Sequence, residues 1–252
     1  MIVQINNVDL TYQAPDGEID ALRGVDFEIY DREFVSIVGP SGCGKSTLLS
    51  VIAGLEPVSA GSVYVDGDAV TAPSPKIGYM PQKDQLFSWR NIWSNVTLGL
   101  ELQHQNTAER QKYVHELLER YGLSEFLQKI PSQLSGGMRQ RCALIRTLAT
   151  DPKILLLDEP FSALDYQTRL SVSTDIYTII RQECKTALLV THDISESISL
   201  SDRIIVLSKR PAAVKSIHSL EELAGISPMQ RRDHPAFRKY FNTIWKELDI
   251  NV

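Results

Sequence analysis

The sequence has no apolar run long enough to cross a membrane and no excess of basic residues. Its best apolar runs, at 34–38, 154–157 and 187–190, are strand-sized, whereas a membrane helix needs about 20 apolar residues. No basic segment followed by an apolar core opens the chain, so we expect a cytosolic protein. Lys and Arg number 26 against 31 Asp and Glu, and the net charge of −5 argues against general nucleic-acid binding.

Cysteine is also scarce. Cys43, Cys142 and Cys184 lie too far apart for metal-ligand spacing, and their odd number does not indicate a disulfide framework. We therefore expect free thiols rather than a zinc site or a disulfide-stabilised fold.

What the sequence does contain is an alternation of strand-like and helix-like segments. The first thirty residues read as strands, because apolar and β-branched residues there alternate with polar ones. From residue 154 onward, short apolar runs alternate with helical stretches, which is typical of a parallel sheet covered on both faces. The predicted strands lie at 34–38, 61–67, 154–157, 187–190 and 203–207, and the predicted helices at 45–53, 108–121, 136–149, 166–183 and 195–200.

These segments predict an α/β fold within one domain spanning 1–252. A mostly parallel sheet forms its core, and an antiparallel β portion precedes that sheet. We expect an inserted helical subdomain at 86–150 and a C-terminal extension at 209–252, whose apolar residues recur at helical spacing.

Residues 39–47 read Gly-Pro-Ser-Gly-Cys-Gly-Lys-Ser-Thr and match the phosphate-loop pattern G-x-x-x-x-G-K-[S/T]. The match follows a predicted strand and opens a predicted helix, so backbone N–H groups and the helix N-terminus can surround phosphate oxygens. Lys45 is expected to reach the β- and γ-phosphates, and Ser46 to bind Mg²⁺. The candidate nucleotide-binding residues are Gly39, Pro40, Ser41, Gly42, Cys43, Gly44, Lys45, Ser46 and Thr47.

Cys43 is the unusual member of this loop. The positive potential near a helix N-terminus favours a thiolate, so we predict a reactive thiol with a lowered pKa. Bound MgATP is expected to protect this thiol from alkylation.

A second predicted strand, within 153–160, ends in two acidic residues. The carboxyl ends of parallel strands face the ligand crevice of such sheets. We expect Asp158 to hold Mg²⁺ through water and Glu159 to polarise the attacking water. Together with the phosphate loop, these acids indicate a P-loop NTPase.

A third motif distinguishes one family among the P-loop NTPases. Residues 134–140, Leu-Ser-Gly-Gly-Met-Arg-Gln, resemble the L-S-G-G-x-x-Q signature of the ABC ATPase family. The resemblance, which runs through 3–208, implies a dimer in which Ser135, Gly136 and Gly137 contact nucleotide held by the opposite subunit. Taken alone, these residues also fit a Ser-Gly-Gly loop that caps a helix.

The resemblance assigns roles to further residues. Tyr12 matches the aromatic residue that stacks on adenine, although an aromatic residue of the strand core is the alternative. Gln82 matches the loop glutamine that contacts Mg²⁺ and the attacking water, and His192 matches the switch histidine that contacts the γ-phosphate. Ser162–Asp165 matches the loop that crosses the dimer interface. The implied catalytic residues are Glu159, His192, Gln82 and Lys45; Asp165 and Tyr12 join the nucleotide contacts; the implied metal ligands are Ser46, Gln82 and Asp158.

Finer details resemble the nitrate, sulfonate and taurine import group. Only 52 positions separate Gln82 from the start of the signature, which fits a compact helical subdomain rather than a long coiled coil. The segments 86–89 and 201–211 resemble that group's L-x-P-W and D-R-I-V-V-L-S-x-R-P-G stretches. Two residues depart from the pattern, since Ser88 stands where proline is usual and Ala212 where glycine is usual.

The resemblance implies an ATP-hydrolysing importer subunit at the cytoplasmic face of the cell membrane, with ATP and Mg²⁺ as cofactors. The implied partners are transmembrane permease subunits, an identical or related second ATPase and, indirectly, an extracytoplasmic solute-binding protein, but no nucleic acid. Residues 82–96 would pass dimer closure to the permease, and the solute would be a small, nitrate-, sulfonate- or taurine-like anion.

Two alternatives stay open. One is a soluble ABC ATPase that acts on nucleic acid or ribosomes, which a basic patch or a long insertion would favour. The other is a non-catalytic nucleotide sensor, which the loss of Glu159 or His192 would favour. The sequence shows none of these features.

Overall fold

The computed structural model describes residues 1–15 and 17–248 of the protein. The strands are β1 (Val3–Ala14), β2 (Gly17–Ile29), β3 (Phe34–Val38), β4 (Ala60–Val65), β5 (Asp68–Ala69), β6 (Ile77–Met80), β7 (Ile154–Asp158), β8 (Thr186–Val190), β9 (Arg203–Leu207) and β10 (Val214–Ser219). The α-helices are α1 (Lys45–Ile52), α2 (Ile92–Val96), α3 (Leu98–Leu102), α4 (Ala108–Arg120), α5 (Gly136–Leu148), α6 (Tyr166–Gln182), α7 (Ile194–Leu200), α8 (Pro228–Asp233) and α9 (Pro235–Glu247). The last four residues of the predicted C-terminal extension, 249–252, lie outside the described residues.

The N-terminal strands form a four-stranded antiparallel sheet in the order β2-β1-β4-β5. On β2, Val25, Phe27 and Ile29 are buried while the residues between them are exposed. One face of the strand therefore packs on the core and the other meets solvent, as the alternating pattern requires. The predicted antiparallel β portion is confirmed.

The second sheet has six strands in the order β10-β9-β3-β8-β7-β6. All its pairings are parallel except that of β10 with β9. Every residue of β3, β7 and β8 is buried, which is why these strands read as unbroken apolar runs. Val190 pairs with Ile37 on one side and with Asp158 on the other, so the carboxyl ends of the three strands are level. The loops that follow them meet at one edge of the sheet.

Helices α2 to α5 lie between β6 and β7, in the helical middle that the sequence predicts. Helix α4 buries Val114, Leu117 and Leu118, and these side chains pack with α5 and α6 in one apolar cluster. Gly122, just beyond α4, has φ 71°, a left-handed conformation that glycine adopts at little cost and that commonly ends helices. The subdomain limits 86–150 remain a prediction. Among the described helices, none has the length and apolar composition that crossing a membrane requires.

The C-terminal region packs on helix α7. Ile194 and Ile198 of α7 share an apolar cluster with Ile244 of α9 and with Val38, the last residue of β3. The amphipathic helix predicted in this region is therefore docked on the core. This helix lies against β3, which leads into the loop at 39–44, and against α7, which follows the loop at 191–193.

Candidate functional site

The loop after β3 forms one wall of an open cleft of about 560 Å³. Gly42 and Gly44 have φ values of 70° and 125°, which side-chain-bearing residues rarely adopt. Helix α1 begins immediately afterwards at Lys45, so its N-terminus points its free N–H groups at the cleft. The cleft is lined by Ser41, Gly42, Gly44, Lys45, Ser46, Thr47, Glu159 and His192.

Lys45 is folded back into the loop. Only 6% of this residue is exposed, and its Nζ donates hydrogen bonds to the carbonyl oxygens of Gly39 at 2.9 Å and Pro40 at 3.0 Å. These contacts hold an ammonium group at the base of the cleft. The loop is therefore a cationic cradle that suits phosphate oxygens.

Ser46, which lines this cleft, contacts Asp158, the last residue of β7. The Ser46 hydroxyl donates to Asp158 Oδ1 at 2.9 Å, although the residues are 112 positions apart. Two oxygen ligands at a phosphate site match the way Mg²⁺ is usually held, with few protein ligands and the phosphates completing the shell. The described residues contain no group of three or more His, Cys, Asp or Glu that could hold a metal on its own.

Tyr79 is a site residue that the sequence did not single out. Its hydroxyl donates to Asp158 Oδ2 at 3.1 Å, so both carboxylate oxygens have a donor. Burial, and then the nearby Asp158 charge, raise the pKa of Tyr79 to about 12, so the phenol stays protonated as a donor. No strand is predicted at 77–80, so the sequence did not indicate that β6 pairs with β7, the strand that ends in Asp158.

Glu159 and His192 both line the cleft and contact each other. His192 Nδ1 lies 3.0 Å from Glu159 Oε2, and since a carboxylate only accepts, Nδ1 is the donor. Glu159 has φ 45°, an uncommon value for a residue with a side chain, and its N–H donates to Val190 O at 2.9 Å. Backbone conformations of this kind cluster at functional sites. The His192 side chain is 57% exposed and therefore open to a ligand.

Gln82 joins the site through a short hydrogen-bonded chain. Its Nε2 donates to Ser162 Oγ at 3.1 Å, and that hydroxyl donates to Glu159 O at 3.0 Å. The loop after β6 is thus tied to the loop after β7. In this arrangement Gln82 borders a second cleft. It does not border the cleft lined by the phosphate loop, Glu159 and His192 (the phosphate cleft).

The second cleft, of about 900 Å³, is built by the signature residues and the loop before α6. Ser135 caps α5 by accepting from Met138 N at 3.3 Å, and Asp165 caps α6 by accepting from Thr168 N at 3.0 Å. The hydrogen bonds from Thr168 lower the pKa of Asp165. A Cβ on Gly137 would lie 2.6 Å from a methyl group of α6, so glycine is required by packing. None of the lining residues is shared with the phosphate cleft.

Tyr12 lies apart from the predicted nucleotide site. Tyr12 is half-buried against the apolar core and is not among the residues that line the phosphate cleft. Its contact with adenine stays a prediction. Gly136, in contrast, lines the second cleft beside Leu164, together with the signature residues Ser135 and Gly137.

The prediction of a reactive Cys43 is wrong. The side chain is only 2% exposed and belongs to the apolar cluster of the core. Burial raises the pKa of the thiol, and this effect outweighs the opposing charge of Lys45. The thiol turns away from the cleft and packs so closely on the start of the loop that a Cβ on Gly39 would lie 2.9 Å from Cys43 Sγ.

The comparisons with known proteins agree on one family. The family described as ABC transporter matches residues 22–162. The chain is 45% identical over 98% of its length to the ABC transporter ATP-binding protein YtlC of Bacillus subtilis, covering 95% of that protein. It is 39% identical over 86% of its length to the aliphatic sulfonates import ATP-binding protein SsuB of Bacillus cereus, covering 85% of it. A solved dimeric ATP-binding cassette, in a post-hydrolysis state with ADP and Pi bound, matches with a TM-score of 0.73 and 33% identity, over 87% of this chain and 99% of that chain.

Proposed function

Because this chain belongs to the ABC transporter family and is an ATP-hydrolysing subunit, we propose that it powers the import of a small anion through a separate membrane permease. The observation that carries the ATP-hydrolysis step of this proposal is the phosphate cleft, in which Glu159 and His192 stand 3.0 Å apart beside the Ser46–Asp158 pair. An acid–base pair beside a phosphate cradle is what hydrolysis of a γ-phosphate requires.

Nucleotide enters between two copies of the chain, or between this chain and a related ATPase. The phosphate cleft and the signature cleft share no residue, so one chain offers half of each of two composite sites. In the dimer, Ser135 and Gly137 of one copy donate to the γ-phosphate held by the phosphate loop of the other. The dimeric solved cassette supports this pairing.

Binding exchanges internal contacts for contacts with nucleotide. Lys45 gives up its bonds to the loop carbonyls and turns its ammonium to the β- and γ-phosphates. Ser46 and Asp158 carry oxygen atoms that would hold Mg²⁺, which would neutralise charge on the phosphate oxygens. Gln82 borders the second cleft here and would add its amide oxygen only after leaving Ser162. Tyr79 and Ser46 already orient the Asp158 carboxylate for this task.

Glu159 is the general base of hydrolysis. Its carboxylate accepts the proton of the attacking water as the water adds to the γ-phosphorus and the bond to ADP breaks. The His192 Nδ1–H group holds that carboxylate in place, and the exposed edge of the ring faces the position of the γ-phosphate. Electrostatic stabilisation by these fixed groups supplies most of the rate.

The loop after Gln82 transmits closure of the dimer to the permease. Trp89 in this loop is 76% exposed, which is unusual for tryptophan and fits a partner surface. Buried Asn95 fixes the loop with four hydrogen bonds to backbone groups of Phe87, Arg90 and Asn91. Such a loop moves as a unit. The permease places the chain at the cytoplasmic face of the membrane.

A sulfonate or a similar anion is the proposed solute. The support is the resemblance of the chain to an aliphatic sulfonate importer subunit, which spans most of both chains. Ser88 and Ala212 depart from that group's pattern, and Ser88 lies next to the exposed Trp89. The permease and its external binding protein, rather than this chain, contact the solute.

The test combines turnover with capture of the partner. Glu159→Gln should bind MgATP but hydrolyse it at least about 100-fold more slowly, as expected when a key catalytic group is lost. The MgATP-trapped variant is then used to capture proteins from solubilised membranes of the source cells, with Glu125→Gln, an exposed glutamate, as the control.

The expected capture is a multi-spanning permease, whose binding protein is tested with sulfonates, taurine and nitrate. Near-normal turnover of Glu159→Gln would contradict the role of the base. Capture of ribosomes or nucleic acid without a membrane protein would contradict the importer assignment and leave the ATPase assignment standing.

A further inference from the structure

Helix α7 begins two residues after the switch residue His192, and it is a weak helix. It has only seven residues, about 10 Å at 1.5 Å per residue, and short helices need tertiary support. Three of the seven residues are serines, which are poor helix formers. The hydroxyls of Ser197 and Ser199 bond to carbonyl oxygens of the helix itself, a contact that slightly destabilises helices. The position of α7 therefore depends on what holds its two ends.

The first end is held by the switch loop itself. Asp193 caps α7 by accepting from Glu196 N at 3.1 Å, and its N–H donates to Thr191 Oγ1 at 3.1 Å. Only Asp193 separates His192 from the first residue of α7, so a displacement of α7 reaches His192 through one intervening residue. The 3.0 Å contact with Glu159 depends on that placement.

The second end is held by a buried arginine from the C-terminal region. Arg231 of α8 is 1% exposed, and its Nη1 donates to Ser201 O at 2.5 Å and to Ile198 O at 3.3 Å. Its Nε donates to Ile226 O at 3.0 Å, in the segment before α8. A guanidinium at these carbonyls satisfies groups that the end of a helix leaves unpaired, and it complements the negative end of the helix dipole.

Burying the Arg231 guanidinium costs folding free energy, so its contacts must contribute something that offsets this cost. Within the described residues, Arg231 forms no ion pair, and burial lowers the pKa of its guanidinium more than Tyr177 and Asp202 raise it. Buried charges are normally paired with a carboxylate. Here the three partners are backbone carbonyl oxygens, two of them at the end of α7. The neighbouring Arg232 also acts on α7, since its charge lowers the pKa of the buried Glu196.

We propose that Arg231 is a positioning residue for ATP hydrolysis, through which the C-terminal region sets the place of α7 and hence of His192 against Glu159. The inference rests on the proposed role of His192 in hydrolysis. It assigns to residues 228–233 a part in turnover, although they lie outside both nucleotide clefts.

The test measures turnover per binding site in the full chain. Arg231→Met keeps the length of the side chain but removes the donors, and Arg238→Met, an exposed position on α9, is the matched control. We expect Arg231→Met to lower kcat roughly ten- to hundredfold, since a misplacement of about 1 Å can cost about 100-fold. The KM for MgATP should change less than about twofold because the phosphate loop keeps its contacts. The sites are counted by nucleotide binding, which removes any effect of a smaller folded fraction.

A double-mutant cycle with His192→Ala separates positioning from a general loss of structure. If Arg231 acts through His192, then Arg231→Met has no further effect on kcat in the His192→Ala background. The inference is wrong if the double variant loses kcat by the product of the two single losses. It is also wrong if Arg231→Met alone has a normal kcat per counted site. Near-normal turnover of His192→Ala alone would instead refute the proposed role of His192, and the inference with it. Arg231→Lys, which retains a buried cation with a donor, enters the same cycle if Arg231→Met does not fold.

Discussion

Replacing the buried Glu196 with glutamine should stabilise the protein at alkaline pH. Glu196 of α7 is 4% exposed, and burial raises the pKa of its carboxyl from 4.5 to about 7. The repulsion from Asp193 adds to this rise, while a hydrogen bond from Thr191 and the charges of Arg169 and Arg232 oppose it. The small space around the carboxyl also borders Glu159 and His192. Glutamine has the same shape and accepts the Thr191 hydrogen bond without carrying a charge.

The sign and size of the effect follow from proton linkage. Between pH 4.5 and about 7 the folded protein holds the proton and the unfolded chain does not, so the free energy of unfolding falls as pH rises through this window. At about 1.4 kcal/mol for each unit of pKa, the buried carboxylate costs about 3 kcal/mol once the pH exceeds 7. At pH 5 the cost is less than about 1 kcal/mol.

Thermal unfolding at pH 5 and pH 8 tests this reasoning. We expect Glu196→Gln to melt roughly 6–10 °C above the native protein at pH 8, and only slightly above it at pH 5. Glu125→Gln, an exposed control, should shift Tm little at either pH. A lower Tm for Glu196→Gln at pH 8 would show that the arginines hold the carboxylate charged. A stabilisation that is the same at both pH values would show that packing, not titration, is responsible.

Two further predictions concern the phosphate site. Cys43 should react with a thiol-alkylating reagent at least about tenfold more slowly than the exposed Cys184, with or without MgATP, because burial raises its pKa; labelling as fast as that of Cys184 would refute the buried geometry. Tyr79→Phe should raise the Mg²⁺ concentration needed for half-maximal ATPase activity about tenfold, since Asp158 loses one of its two donors. An unchanged Mg²⁺ dependence would show that the donor from Ser46 suffices.

Much of the fold follows from local rules that the sequence displays directly. The strands β3, β7 and β8 are buried on both faces, so their unbroken apolar runs identify them without tertiary information. The phosphate loop is equally local, because Gly42 and Gly44 adopt φ values that only glycine adopts readily. Contiguous residues fix the shape of such features, so their positions can be predicted without tertiary information.

The contacts that complete the site join residues far apart in the chain, and no local rule predicts them. Tyr79 reaches Asp158 across 79 positions, and Gln82 reaches Ser162 across 80. The error on Cys43 has the same origin. A helix N-terminus favours a thiolate only where the thiol faces the helix dipole, and the direction of this side chain is set by its packing in the core. Burial then outweighs the local electrostatic effect.

The resting site is already satisfied by internal partners, with which nucleotide must compete in the proposed function. Lys45 is bonded to two carbonyl oxygens, Asp158 to two hydroxyl donors and Glu159 to His192. Nucleotide must replace part of these bonds, so only the difference between old and new contacts drives binding. In the proposed function, ADP offers no γ-phosphate to Lys45 or His192. We therefore expect the internal bonds to re-form with ADP, and the dimer to open because the ligand no longer favours the closed state.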